Sequence, residues 1–239
     1  MRLRRDRLHD ERNNSISFKD LKYIFLSGID KILENFNSDL RVLPIINYSA
    51  IKFFSKYLNK EMSLLEYGSG KSTKWYAEKV KTVVSVEDNN DWYLKVKNYL
   101  TKFKINNVKQ VFAKNSEEYL KCYEKFNFKI SDFNVIIIDG SYRNKCAEMI
   151  IEEENLKNTV IYLDDSDKCW SIDPNHVDKD PDSNALSAYA SLLYHLHKRN
   201  FICSSLRNFA PTYFTIKEGT FFIHKDNKIA LEIYKDIYF

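Results

Sequence analysis

Apolar residues recur along this chain with two different periods, and the alternation between them predicts its elements. Leu21, Ile24, Phe25, Ile29, Ile32 and Leu33 fall at helical spacing, which predicts an amphipathic helix over 18–37. A second helix is predicted over 47–58, and the pair should cap one side of the domain. From there short apolar runs alternate with helical patterns. Ser63–Glu66 reads as a strand, followed by a glycine-containing turn and a helix over 71–79. Val-rich Thr82–Glu87 is a second strand. Asn89-Asn90 then opens a helix with Trp92, Val96, Tyr99, Leu100 and Phe103 on one face, a spacing that suits Trp92 to the core at least as well as to stacking on a ligand ring. Val108–Ala113 is a third strand, with a helix over 116–125 after it. Val135–Asp139 is the strongest strand signal, because four consecutive apolar β-branched residues imply burial on both faces. A helix over 143–155 and a strand over 159–163 follow. Beyond a long polar segment, Ala185, Leu186, Tyr189, Leu192, Leu193 and Leu196 mark another helix. The last strands, 201–206 and 212–223, have no helix between them.

Strands that alternate with helices form a doubly wound α/β layer structure. The expectation is a mostly parallel, seven-stranded, Rossmann-like sheet with an antiparallel edge hairpin and N-terminal helices. Ligands in such folds sit at the carboxyl ends of the strands, so the residues just after each strand are the ones to inspect.

Composition narrows the function only by exclusion. The 239 residues are 44% hydrophobic and 29% charged, with only 5 Gly and 4 Pro, so a sizeable core forms and long low-complexity segments are not expected. A net charge of +4, from 37 basic and 33 acidic residues, is too mild to announce nucleic-acid binding. The one basic cluster is Arg2, Arg4, Arg5, Arg7 and Arg12, read as a solvated terminus. Cys122, Cys146, Cys169 and Cys203 form no CxxC pair, which argues against zinc and a disulfide framework. No apolar stretch approaches a membrane span and no signal core follows the basic start, so a cytoplasmic location is expected.

The turn Glu66-Tyr67-Gly68-Ser69-Gly70-Lys71-Ser72-Thr73 carries the first chemistry. Gly70-Lys71-Ser72 resembles the end of a phosphate-binding P-loop, but that pattern needs a glycine five positions before Gly70, where Leu65 stands. A nucleotide-binding enzyme of that type is the alternative reading. Glu66-x-Gly68-x-Gly70 resembles the first motif of class I S-adenosylmethionine-dependent methyltransferases. Its glycines permit a tight turn and close backbone approach. Glu87, 17 residues after Gly70, closes the second strand where a carboxylate can accept both ribose hydroxyls. A dinucleotide fingerprint is disfavoured because Thr73 occupies the place of its third glycine. The resemblance spans about 60–223 and makes 60–239 the methyltransferase domain, with 1–59 a helical extension. It implies that Glu66, Gly68, Gly70, Ser72, Thr73, Glu87, Asp88 and Asp139 border the cofactor S-adenosyl-L-methionine, with Asn115 and Ser116 at the adenine edge.

The second group is Asp139, ending one strand, with Asp164 and Asp165 ending the next. Three converging carboxylates repel unless a proton or a cation lies among them. Their arrangement resembles the metal site of divalent-cation-dependent O-methyltransferases, of the catechol and macrocin-type sugar kinds. The resemblance implies Mg2+ or Mn2+ on Asp139, Asp164 and Asp165, with chelation of the acceptor oxygen. If no metal binds, Asp139 is the leading general base and His176 the second. Asp139-Gly140-Ser141-Tyr142-Arg143 and Leu163-Asp164-Asp165-Ser166-Asp167 further resemble bacterial and viral methyltransferase-like proteins of glycan modification. The expected activity is therefore methyl transfer to a hydroxyl of a sugar, glycan or other small acceptor. RNA or protein acceptors are the alternative, and the oligomeric state stays open.

Overall fold

The four-residue run Val135–Ile138 forms the middle of the sheet, buried along its whole length, and the rest of the chain is arranged around it. The computed structural model describes residues 8–10, 13–36, 43–168 and 185–238. The N-terminal arginines and His176 lie outside the described residues, as does most of the polar segment expected to cover an acceptor. A single 3-10 turn, Phe18–Asp20, leads into α1 (Lys22–Phe36), and α2 spans Tyr48–Tyr57. The α/β alternation then runs β1 (Ser63–Tyr67), α3 (Lys71–Ala77), β2 (Thr82–Glu87), α4 (Asn90–Lys102), β3 (Val108–Phe112) and α5 (Ser116–Leu120). It continues through β4 (Val135–Ile138), α6 (Arg143–Glu152), β5 (Val160–Asp164) and α7 (Ala185–Lys198). The chain closes with β6 (Phe201–Ala210), β7 (Tyr213–His224) and α8 (Lys228–Tyr238).

The seven strands are ordered β3-β2-β1-β4-β5-β7-β6. The first five are parallel, while β7 runs antiparallel to both β5 and β6. The doubly wound sheet with an antiparallel edge hairpin is therefore as the sequence predicts. Strand order reverses between β1 and β4, which opens a crevice beyond their carboxyl ends.

Side chains alternate across the sheet and divide the core in two. Val135 and Ile137 of β4 face a cluster with Phe53, Phe54, Tyr162 and Phe221, whereas Ile136 and Ile138 join Leu65, Val84, Tyr119 and Leu192. Helix α2 belongs to the first cluster: the Phe53 and Phe221 ring centroids are 4.5 Å apart. Asn47 caps it by accepting the Ala50 N–H at 2.8 Å and donates to the Leu206 carbonyl at 3.1 Å.

Three elements differ from expectation. The apolar stripe of α1 does not turn inward as a whole: Phe25 is 74% exposed, Ile29 48% and Ile32 56%. The helix instead buries Ser27 and Asp30, with Ser27 Oγ donating to the Tyr213 carbonyl at 2.6 Å. Strand β6 runs four residues beyond the expected end, because Arg207, Asn208 and Phe209 pair with Glu218, Lys217 and Ile216 of β7. Helix α8 was not expected. Asn227 caps it, accepting from the Ala230 N–H, and Ala230 and Tyr234 pack into the first core cluster.

Candidate active site

The crevice at the reversal of strand order is a cavity of about 490 Å3, within the ~300–1,000 Å3 of small-ligand sites. Gly68–Ser72 form one end and Glu87 with Trp92 one wall. Asp139 and Gly140 lie at the exit of β4, and Asp30, Glu34, Ile45, Pro211 and Thr212 close the opposite side. The α1 side chains were not legible as site residues, since nothing in a helical pattern tells which polar positions face a cavity.

The turn after β1 is built on close backbone approach. Gly68 has φ +104°, and a Cβ there would meet Gly140 Cα and N at 2.7 Å. A side chain at Gly140 would strike Gly68 and the Tyr119 hydroxyl in turn. The Gly68 and Ser69 N–H groups both donate to the Val86 carbonyl, at 3.0 and 2.9 Å, which fixes the turn on β2.

Glu66 lies beneath the turn and is 1% exposed. Its two oxygens accept the hydroxyls of Ser72 at 2.6 Å, Thr73 at 2.6 Å and Ser85 at 2.7 Å. Burial pushes its carboxyl up to about 7, against the opposing pull of those three hydroxyls. Glu66 and Thr73 therefore brace the turn from behind, and Ser72 reaches the cavity. Glu87 does face the cavity. It accepts the Asn89 N–H at 2.9 Å; burial pushes its carboxyl up to about 7 against the pull of that N–H, and the like charge of Asp88 adds to the rise.

Of the two places left open for Trp92, core or cofactor cleft, the structure gives the cleft. The residue is 42% exposed, lines the cavity and donates from Nε1 to the Ser69 carbonyl at 2.7 Å. Asp88, Asn115 and Ser116 are absent from the cavity wall; Asn115 caps α5 by accepting the Glu118 N–H at 3.0 Å.

The acidic residues after β4 and β5 converge as expected, with Asp139, Asp164 and Asp165 oxygens all within 4.8 Å of one another. What the sequence did not disclose is the cation among them. Lys217 Nζ, carried in by β7, is 2.7 Å from Asp164 Oδ2, 3.4 Å from Asp165 Oδ1 and 2.8 Å from the Ile45 carbonyl. The other Asp164 oxygen accepts the Tyr162 hydroxyl at 3.1 Å, and Lys168 pairs with Asp165. Asp139 alone borders the cavity, with Arg143 Nη2 at 2.9 Å from its carbonyl and 3.3 Å from Oδ1. Burial, and then the neighbouring Asp164, raise its carboxyl well above the usual carboxylate range despite Lys217 and Arg143. Burial alone would lower the Lys217 pKa, but Asp164, Asp165 and Asp139 outweigh it and hold the ammonium charged. Backbone strain gathers at the same place, since Tyr142 and Asp165 both have φ +54°. The donor set does not fit a divalent ion: every oxygen of Asp164 and Asp165 already faces a hydroxyl or an ammonium group, and a metal would have to displace Lys217.

His195 and His197 lie on α7, exposed and outside the cavity wall. Among the described residues no helix is long and apolar enough to cross a membrane.

No family model and no curated protein matches the sequence. Solved structures do match. The O-methyltransferase TomG from Streptomyces achromogenes, solved in complex with SAM, superposes with a TM-score of 0.57 at 11% identity, over 86% of this chain and 96% of that one. An O-methyltransferase from Bacillus cereus in complex with SAH gives 0.54 at 15% identity, over 87% and 92%. At such identities the likeness speaks for the fold alone, and the chain shares the fold of these two enzymes.

Proposed function

We propose that this protein is an S-adenosylmethionine-dependent O-methyltransferase acting on a hydroxyl of a small acceptor, of the sugar or glycan class. The observation that carries the reading is that Glu87, the glycine turn and Asp139 open into the same chamber. The chain fits an adenosyl group there. Glu87 offers a carboxylate to a ribose diol, Trp92 offers an exposed ring beside it, and Gly70 leaves backbone open where a side chain would intrude. When bound, the cofactor supplies an electrophilic methyl on a sulfonium.

The chain's own residues account for the rest. Asp139 stands at the cavity wall as the carboxylate that can take the proton of an acceptor hydroxyl, and burial beside Asp164 makes it more basic than an ordinary aspartate. Arg143 holds the Asp139 backbone and side chain in place, so base and acceptor meet in a fixed geometry. Asp30 and Glu34 on α1 add acceptors for further hydroxyls, which suits a polyhydroxylated substrate.

Calorimetric titration with S-adenosylhomocysteine and with ATP-Mg2+ tests the reading. The first should bind and the second should not; the reverse result would establish the nucleotide-binding alternative. Transfer of labelled methyl to a panel of sugars, RNA and protein then separates the acceptors. For RNA or protein, truncation should stop before Leu8, because Asp10 is 1% exposed and lies 3.0 Å from Arg207.

A further inference from the structure

We propose that the Asp139–Asp164–Asp165 cluster takes its balancing charge from Lys217, so that the chain's own ammonium stands where a divalent ion would be needed. The inference concerns the site assigned above and rests on that reading only for its consequence in catalysis.

Lys217 is built for this place rather than incidental to it. It sits in β7 opposite Asn208, and its side chain is only 10% exposed. Its ammonium donates to Asp164 Oδ2 and to the Ile45 carbonyl, and it lies 3.4 Å from Asp165 Oδ1 as an ion pair. Every oxygen of Asp164 and Asp165 then faces a donor, from Lys217, the Tyr162 hydroxyl or Lys168. Arg143 stands beside Asp139. Lys217, Lys168 and Arg143 thus face the three acids, and the cluster needs no ion from solution to balance it.

A hard divalent cation requires several oxygens at ~2.0–2.6 Å. It could reach Asp164 and Asp165 here only by expelling Lys217 or by tolerating its charge at close range, in a region nearly shut to water. The same lysine fixes Ile45, which lines the cavity, to β7 and to the end of β5. Lys217 is therefore a positioning residue: it holds two acids and one cavity wall, leaving Asp139 as the carboxylate presented to an acceptor.

Mn2+ binding, read by the electron paramagnetic resonance of free Mn2+ and by calorimetry, tests this without any methyl transfer. The wild-type chain should bind no Mn2+ at micromolar concentrations, with or without saturating S-adenosylhomocysteine. Lys217→Met should leave the acids uncompensated, lower the Tm, and gain Mn2+ affinity by more than an order of magnitude, with Mn2+ restoring part of the Tm. The double variant Lys217→Met, Asp164→Asn should lose that gain. Micromolar Mn2+ binding by the wild type, abolished by Asp164→Asn, would overturn the proposal, and this outcome is decisive even if Lys217→Met does not fold. Binding of S-adenosylhomocysteine in the same samples reports separately on the methyltransferase reading.

Discussion

Replacing Glu66 by Gln should flatten the pH dependence of stability. In the free protein the carboxyl titrates at about 7, against 4.5 for an ordinary glutamate. Below 4.5 it is protonated in both folded and unfolded chains. As pH rises, the unfolded chain releases its proton first while the folded chain keeps it until about 7, so stability declines over this interval and levels off above it. Each tenfold difference is worth about 1.36 kcal/mol. The full cost is then about 3 kcal/mol, of which roughly 2 to 3 kcal/mol develops between pH 5 and pH 8. Because Glu66 is 1% exposed, solvent screening removes little of it. Urea unfolding of both proteins at those two pH values, without cofactor and at constant ionic strength, isolates the effect. With an m-value of about 3 kcal/mol/M, the wild-type midpoint should fall nearly 1 M further than that of Glu66→Gln. Equal falls in both proteins would show that the hydroxyls of Ser72, Thr73 and Ser85 fully offset burial, and would refute the reasoning.

Other expectations concern the cavity and its turn. Glu87, also near 7, must be ionised to receive a diol. Affinity for S-adenosylhomocysteine should rise about tenfold from pH 6 to pH 8 in the wild type and stay flat in Glu87→Gln, which should bind ~10–100-fold more weakly at pH 8. Gly68→Ala should cost about 3 kcal/mol or more, lowering Tm by roughly 6–12 °C in a thermal melt, because both its φ and its approach to Gly140 forbid a side chain. Gly28→Ala is the contrast: its Cβ would meet only the Phe214 ring, at 3.9 Å, and helix propensity predicts a gain of ~0.5–1 kcal/mol. Trp92 fluorescence should change on titration with S-adenosylhomocysteine, and Trp92→Phe should remove that component; an unaltered signal would place the ligand elsewhere.

The sheet was legible because a central strand such as Val135–Ile138 buries a continuous apolar run between two layers, and such runs have few other uses. The turn at Gly68 was equally legible, since its glycines answer a steric demand that is local to the chain. Lys217 was not. A lysine within a strand reads as a solvent-facing position, and only the pairing of β7 against β5 brings it to Asp164 and Asp165. Trp92 stayed open for a related reason: helical spacing identifies a face but not whether that face meets core or cleft. The apolar stripe of α1 makes the same point, for the residues the helix buries are Ser27 and Asp30. Short helices such as α8 escape when a chain ends in strand-like text, although the spacing of Ala230, Tyr234 and Ile237 was present.

The contact between Gly68 and Gly140 has a mechanical consequence. The two loops touch through bare backbone, leaving no compressible side chain between them, so neither can shift without carrying the other. The turn after β1 and the loop after β4 are thereby welded into one rigid jaw. Adaptation to acceptors of different size must come from the opposite jaw, formed by α1 and the Pro211-Thr212 corner, which shares no such weld and can be remodelled without disturbing the distance over which the methyl would travel.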